Sequence, residues 1–181
     1  MLRMPTIRLA TVADIPVLNE LRSELLAELR AHRGSTESPA SLEPANAEYL
    51  RRALPSGQYV GWIAEEAGAP VGIAGCFFFE RPPMERPGAV LEGRVVNVYT
   101  RPAWRGRGIG SALTRAAIEH ARGRGARRLR LGAAPDGIGV YARLGFQPVT
   151  TEMELRLRPP ADAPGAGSAD AAGAAPSPGR A

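Results

Sequence analysis

The sequence predicts an α/β fold in which helices cover both faces of a mixed central sheet. Segments that alternate between apolar and polar residues, typical of strands, interleave with segments whose apolar residues recur every three to four positions, typical of amphipathic helices. The predicted order of elements is β-α-α-β-β-β-α-β-α-β. A short basic turn rich in glycine, at residues 101–108, separates the fourth strand from the third helix.

The first part of the chain predicts one strand and two helices. Residues 6–10 alternate and predict the first strand. Thr11 and Asp14 have the spacing of a capping box that opens a helix to about residue 31. Its apolar stripe consists of Ile15, Leu18, Leu21, Leu25, Leu26 and Leu29. Residues 32–46 contain Gly, Ser and Pro and predict a loop before a short helix at residues 47–54.

The middle of the chain predicts three strands that lead to the basic turn. Residues 58–66 and 70–79 predict a hairpin, and residues 91–100 predict the central strand. Pro102 ends that strand because proline cannot extend its ladder of hydrogen bonds. The next helix is predicted at residues 109–122, where the glycines at 123 and 125 end it.

The last predicted elements are a strand at residues 127–133, a short helix at 137–144 and a final strand at 147–157. The composition then changes, since 18 of the last 23 residues are Ala, Gly or Pro. Such a segment buries too little apolar surface to offset its ordering entropy. We therefore predict one folded domain at residues 1–158 and a disordered tail at residues 159–181.

The strand, turn and helix at residues 95–113 together predict an anion-binding site. The glycines at 106, 108 and 110 lack Cβ atoms and let the backbone approach a phosphate. The first N–H groups of the helix have no acceptor inside the helix and, with the helix dipole, favour an anion. The chain has no lysine, which argues against a Walker-type loop, and its glycine spacing differs from the Rossmann fingerprint.

Positive charge is concentrated around this turn. The net charge is +5, and residues 101–130 contain nine arginines against one acid, Glu119. This cluster suits a ligand that carries several phosphates, with Arg101, Arg105 and Arg107 around the turn. It would also suit a nucleic-acid backbone, but Trp104 is the one aromatic residue of the segment, so few bases could stack there. Nucleic-acid binding is therefore the less favoured interpretation.

The composition also excludes several classes of protein. The single cysteine, Cys76, excludes an internal disulfide and is expected to be buried. His32, His120 and Cys76 are too scattered to predict a metal site, and His120 is expected at the surface. No apolar segment approaches the roughly 20 residues of a membrane span, and no signal peptide is recognised. We therefore expect a cytoplasmic protein with no metal site and no membrane partner.

Two motifs resemble those of the GCN5-related N-acetyltransferase (GNAT) family. Residues 105–110 read Arg-Gly-Arg-Gly-Ile-Gly, which is similar to the acyl-CoA pyrophosphate loop of that family. About thirty residues later, residues 140–146 contain the family's Tyr-x-x-Leu-Gly-Phe motif. The resemblance covers roughly residues 6–157 and is closest to bacterial members. It implies a single-domain GNAT-like fold in which two central parallel strands splay apart.

The resemblance also implies an activity and a set of site residues. The implied activity is direct transfer of an acetyl group from acetyl-CoA to a primary amine of a small molecule or protein. Tyr141 matches the family tyrosine that protonates or hydrogen-bonds the departing sulfur, although packing against Phe146 would also explain it. Final strands of the family often pair across a dimer, which leaves a homodimer open. The implied cofactor-binding residues are Val98, Tyr99, Thr100, Arg105, Gly106, Arg107, Gly108, Ile109, Gly110 and Ser111.

The general base and the role of Asn97 each have more than one interpretation. An ammonium acceptor needs a base near pH 7, for which Glu92, Glu80 and Glu85 are candidates, and each would also serve as a solvated surface charge. Asn97 lies among apolar residues of the central strand, so it contacts substrate or water or is a satisfied core amide. The alternative to an enzyme is a non-catalytic module that binds acyl-CoA or nucleic acid through residues 101–130.

Overall fold

Five strands and four α-helices form the described part of the chain. The computed structural model describes residues 5–32, 34, 42–83, 90–149 and 155. Contacts divide the chain into residues 1–147 and 148–181, and every element belongs to the first unit. The elements are β1 (Thr6–Leu9), α1 (Ile15–His32), α2 (Glu43–Ser56), β2 (Tyr59–Glu66), β3 (Ala69–Arg81), β4 (Val90–Thr100), α3 (Ile109–Gly123), β5 (Arg128–Leu131) and α4 (Ile138–Arg143).

The strands form one mixed sheet in the order β1-β2-β3-β4-β5. The first four are antiparallel to their neighbours, whereas β4 and β5 run parallel. Their parallel pairing joins Glu92 to Arg128 and ends where Val95 faces Leu131. Because β5 ends there, residues 96–100 of β4 extend beyond it. The predicted mixed sheet is confirmed.

Helices cover both faces of this sheet, as predicted. The α1 and α2 helices pack on one face, and α3 packs on the other. The core under α1 and α2 includes Leu18, Leu21, Leu50, Tyr59, Ile63, Ile73 and Tyr99. The core under α3 includes Trp62, Val71, Cys76, Phe78, Val95, Ile109 and Leu113. No helix among the described residues combines the length and apolar character that crossing a membrane requires.

A polar network fixes the approach to α1. The backbone N–H of Thr11 donates to the Asp14 carboxylate at 2.8 Å, and the Arg8 guanidinium donates to both Asp14 oxygens at 3.0 and 2.8 Å. The hydrogen bonds from Arg8 hold the pKa of Asp14 well below its usual range. Arg8 also donates to Glu65 on β2, so the network ties the start of the helix to the sheet.

Two predicted elements differ from the structure. The α2 helix begins at Glu43, four residues before the predicted start, because Pro44 lies in the first turn, where its missing N–H has no helical acceptor to lose. Of the predicted last strand, Gln147, Pro148, Val149 and Leu155 are described, and none of these four is in a strand. The rest of that strand and the predicted tail at residues 159–181 lie outside the described residues.

Candidate active site

A β-bulge interrupts β4 at Asn97. Between two paired positions, β3 advances two residues from Ile73 to Gly75, whereas β4 advances three between Tyr99 and Val96. Asn97 has a φ of 53°, a left-handed conformation that asparagine tolerates better than most residues. The bulge lies just beyond the end of the pairing with β5. In the described part of the chain, this edge of β4 has no paired strand there and is available to an extended ligand.

The turn after β4 leads directly into α3. Gly106 and Gly108 have φ values of 75° and 77°, which explains why glycine stands at both positions. A Cβ atom at either position would meet no atom of the described residues within 4 Å, so those residues leave the space beside the turn open. The first N–H groups of α3, from Ile109 to Ser111, have no acceptor inside the helix. Arg107 stacks over Trp104 with its guanidinium carbon 4.6 Å from the ring centroid.

Two of the three arginines expected around the anion are bound to α1. Arg101 forms ion pairs with Glu24, at 2.8 Å, and with Glu20. Arg105 forms an ion pair of 2.6 Å with Glu28 and donates to the Thr100 carbonyl oxygen at 3.0 Å. The acids recur every four residues and therefore lie on one side of α1. The guanidinium groups of Arg101 and Arg105 are thus paired with carboxylates of α1.

A cavity of about 330 Å³ lies beside the bulge, on the face of the sheet that α1 and α2 cover. It is lined by Leu18, Arg22, Asn46, Tyr49, Leu50, Tyr59, Ile73, Phe77, Val96 and Asn97. Burial raises the pKa of Tyr59 to about 12, while the nearby Asn97 side chain acts in the opposite direction. The cavity therefore combines an apolar floor with a few convergent polar groups, as small-molecule sites commonly do.

Glu92 is buried on the same face of β4 as Val96 but lies four residues earlier, about 13 Å along the strand. Its Oε1 atom is 3.3 Å from Arg81 and 3.9 Å from Arg128. The structure therefore does not place Glu92 in the lining of the cavity. Glu80 is exposed at the same end of the sheet, and Glu85 lies outside the described residues.

Comparison with protein families agrees with this geometry. The model described as "Acetyltransferase (GNAT) family" matches residues 19–146, which is more than half of the chain. The chain belongs to the GNAT acetyltransferase family. It is an N-acetyltransferase with acetyl-CoA as co-substrate. The open edge of β4, the two glycines without neighbours and the first N–H groups of α3 fit the extended arm and phosphates of such a molecule.

Relatives of this acetyltransferase occur in plants, trypanosomes and bacteria. It is 33% identical over 122 residues to glucosamine 6-phosphate N-acetyltransferase 1 of Oryza sativa subsp. japonica, covering 67% of this chain and 73% of that protein. It is 29% identical over 146 residues to glucosamine 6-phosphate N-acetyltransferase of Trypanosoma brucei brucei, covering 80% and 95%. An acetyltransferase from Clostridium acetobutylicum, solved with acetyl-CoA, superposes with a TM-score of 0.74 at 28% identity, covering 84% and 96%.

Tyr141 of the acetyltransferase lies on the short helix α4 and is half-buried. Its ring contacts Phe146 edge to face, with the ring centroids 6.0 Å apart. Burial raises the pKa of its hydroxyl group, which keeps the phenol protonated at neutral pH. The contact with Phe146 agrees with the packing interpretation. A catalytic role of the hydroxyl group is a proposal.

Two residues with reactive side chains lie away from the cavity. Cys76 is buried in the core under α3, as expected, and burial raises its pKa to about 12. His120 is not a surface residue as expected but is half-buried, with its ring 5.5 Å from that of Trp62 and 5.8 Å from that of Phe78. Burial, followed by the charge of Arg124, lowers the pKa of His120. Within the described ranges, no group of three or more His, Cys, Asp or Glu residues could hold a metal ion.

Sequence reasoning missed most of the cavity of this acetyltransferase. Arg22, Asn46, Tyr49 and Tyr59 come from three different elements, and their convergence depends on tertiary packing. One signal was present in the sequence, because Arg22 stands four residues after Leu18 on the apolar side of α1.

Proposed function

We propose that this acetyltransferase transfers the acetyl group of acetyl-CoA directly to the primary amine of a small molecule bound in the cavity. The position of the cavity carries the proposal, because Val96 and Asn97 line it where the bulge begins. The open edge of β4, where the donor is expected, starts at the same point. Donor and acceptor would therefore meet at the bulge.

The donor would follow the edge of β4 and end at the turn. Backbone groups of Val98, Tyr99 and Thr100 would bind the pantetheine arm, since β5 has ended before them. Residues 106–111 would hold the pyrophosphate through N–H groups at the start of α3. The side chain of Arg105 is paired with Glu28. Arg105 would therefore contribute to this site mainly through its backbone.

The reaction requires a neutral amine, a stabilised oxyanion and a proton for the leaving sulfur. The amine nitrogen attacks the thioester carbonyl carbon, a C–N bond forms and the C–S bond breaks. Backbone N–H groups beside the bulge would stabilise the negative oxygen. The amine loses its proton to a base, and Tyr141 would give its phenolic proton to the CoA thiolate and recover one from solvent.

We further propose Glu92 as the base, acting through a chain of water molecules, because it lies about 13 Å along β4 from Val96 in the cavity lining. It is buried on the face of β4 that forms the cavity floor. Its Oε1 atom is paired with Arg81 at 3.3 Å and with Arg128 at 3.9 Å, and these pairs would hold the carboxylate in place.

The test is amine-dependent release of CoA thiol from acetyl-CoA, with the product identified by mass. Glucosamine 6-phosphate is the first acceptor to test, because several relatives are named for it. Glucosamine, a polyamine, an amino acid and a short peptide complete the panel. The proposal predicts an N-acetylated small molecule. Acetylation of the peptide alone, or thiol release that does not depend on an amine, would overturn it.

A further inference from the structure

Three acidic residues of α1 are paired with residues at the end of β4 and in the turn after it. Glu20 and Glu24 form ion pairs with Arg101, and Glu28 pairs with Arg105 and accepts a hydrogen bond from the Tyr99 hydroxyl group. No carboxylate of this stripe is therefore left for another cation.

Arg22 stands on the same helix but lines the cavity. It is half-buried, and no residue in the described part of the chain forms an ion pair or hydrogen bond with its guanidinium group. Its charge reaches the cavity wall, because it acts to lower the pKa of Tyr59. A partly buried cation without a counter-charge is costly, so a protein that keeps one beside its reaction site has a use for it.

Among the described residues that line the cavity, none carries a negative charge. The polar members of the lining are the amides of Asn46 and Asn97 and the phenols of Tyr49 and Tyr59, and the other lining residues apart from Arg22 are apolar. The Asn46 amide already donates to the Asn19 side chain. The positive charge of Arg22 would therefore repel a simple cationic amine. An amine that also carries an anionic group could pair that group with Arg22.

We propose that Arg22 binds an anionic group, a phosphate or a carboxylate, on the acceptor and so selects amines that carry one. This inference rests on the proposed function, because it assigns the cavity to the acceptor. The anion would lie at α1, with the amine at the bulge near Asn97. A cavity of about 330 Å³ is at the lower end of the range for small-molecule sites, which suits a monosaccharide phosphate or an amino acid.

The test compares each anionic amine with its neutral counterpart. Glucosamine 6-phosphate is paired with glucosamine, and 4-aminobutyrate with its amide, so the pairs distinguish a phosphate from a carboxylate. We expect the wild type to prefer the anionic member of one pair by at least about tenfold in kcat/KM. Arg22→Gln should abolish that preference by raising KM for the anionic amine, with little change for the neutral one. Arg22→Lys, which keeps the charge, should retain most of it.

Arg51→Gln is the matched control, because Arg51 is exposed on α2 and pairs with Glu48 at 3.0 Å. It should leave the preference unchanged. Arg22→Gln should also unfold at the temperature of the wild type, since the substitution leaves no described partner unpaired. A preference that survives in Arg22→Gln would overturn the inference while leaving the proposed function intact.

A binding readout covers the case in which none of these amines is acetylated. With CoA at saturation, which fills the turn, inorganic phosphate should raise the melting temperature of the wild type. The comparison is with chloride at equal ionic strength, and Arg22→Gln should show no such rise. An equal rise in both proteins, or none in the wild type, would overturn the assignment of Arg22, whereas failure of every amine would count against the proposed function.

Discussion

The hydroxyl group of Tyr59 occupies the space that a side chain at Gly75 would need. A Cβ atom at Gly75 would lie 2.0 Å from the hydroxyl oxygen and 2.5 Å from Cζ of that ring. Gly75 pairs with Val96 on β4 and so stands opposite the beginning of the bulge. Tyr59 is 4% exposed and lines the cavity. A glycine on β3 therefore determines where the phenol lies beside the expected reaction site.

Gly75→Ala should consequently destabilise the protein. The ring of Tyr59 must move within a packed core, and overpacking of this kind costs about 1–3 kcal/mol. The free energy of unfolding in urea measures the loss. Gly123→Ala is the control, since a Cβ there meets nothing within 4 Å, and it should change stability by no more than about 0.5 kcal/mol. Equal stability of the two variants would show that Tyr59 is not fixed as described.

Two substitutions at Asn97 separate its backbone role from its side-chain role. Both Asn97→Gly and Asn97→Ala remove the amide side chain that acts to lower the pKa of Tyr59. Only alanine is strained at a φ of 53°, so the alanine variant should be about 0.5–1 kcal/mol less stable and have the higher KM for acetyl-CoA. If the side chain also contacts the acceptor, both variants should raise the acceptor KM. Equal stability and equal acetyl-CoA KM would contradict the importance of the left-handed bulge.

Tyr141→Phe should lower kcat by about 100-fold without weakening acetyl-CoA binding. The variant keeps the ring contact with Phe146 but loses the proton donor, and general acid catalysis is typically worth about 10²–10⁴. Phe146→Leu is the reciprocal variant, which should lower the melting temperature and leave kcat within about threefold. The packing interpretation would be correct if kcat followed stability in both variants.

The stability supplied by Asp14 should depend on pH in a defined direction. Hydrogen bonds from Arg8 lower the folded-state pKa of Asp14, so its contribution is present above the unfolded-state pKa of about 4 and is lost as the pH falls below it. Asp14→Asn should cost about 1–2 kcal/mol at pH 7. The difference from the wild type should shrink by about 1 kcal/mol between pH 5 and pH 3, measured by urea unfolding. Glu119→Gln, at an exposed ion pair, should show neither effect. A constant difference at all pH values would exclude this linkage.

Local signals explain what the sequence predicted well. Pro102 and the glycines after it predicted the end of β4 and the turn into α3. Proline restricts the backbone at its own position, and glycine allows conformations there that other residues avoid. Pro44 explains why the start of α2 was predicted four residues too late. Proline occurs both in loops and in the first turn of a helix, and the sequence alone did not distinguish the two. Elements with their own start and stop residues were therefore predictable to within a few positions.

Long-range partners explain what the sequence did not predict. Arg101 and Glu24 are 77 residues apart in the chain, and nothing local indicates that they pair. The cavity likewise requires α1, α2 and three strands to come together, so Arg22 and Tyr59 were not recognised as its residues. The bulge was also not predicted. It interrupts the regular alternation of β4 side chains between the two faces of the sheet, which a strand pattern in the sequence assumes.

The most direct test of how the fold binds its donor is thermal unfolding with and without acetyl-CoA, for the wild type and two glycine variants. At 100 times its dissociation constant, a ligand adds about 2.7 kcal/mol, or roughly 5–10 °C in a domain of this size. Gly108→Ala is strained at a φ of 77° and places a Cβ in the open space beside the turn, so its rise should be at most about half as large.

Gly123→Ala is the control in this measurement. Gly123 lies at the end of α3 that is farthest from the turn, a Cβ there meets no described atom within 4 Å, and the rise should be that of the wild type. A full rise in the wild type and in Gly123→Ala, with a reduced rise in Gly108→Ala, is the result we predict. An undiminished rise in Gly108→Ala, or none in the wild type at saturating acetyl-CoA, would contradict the assignment of residues 106–111 as the donor site.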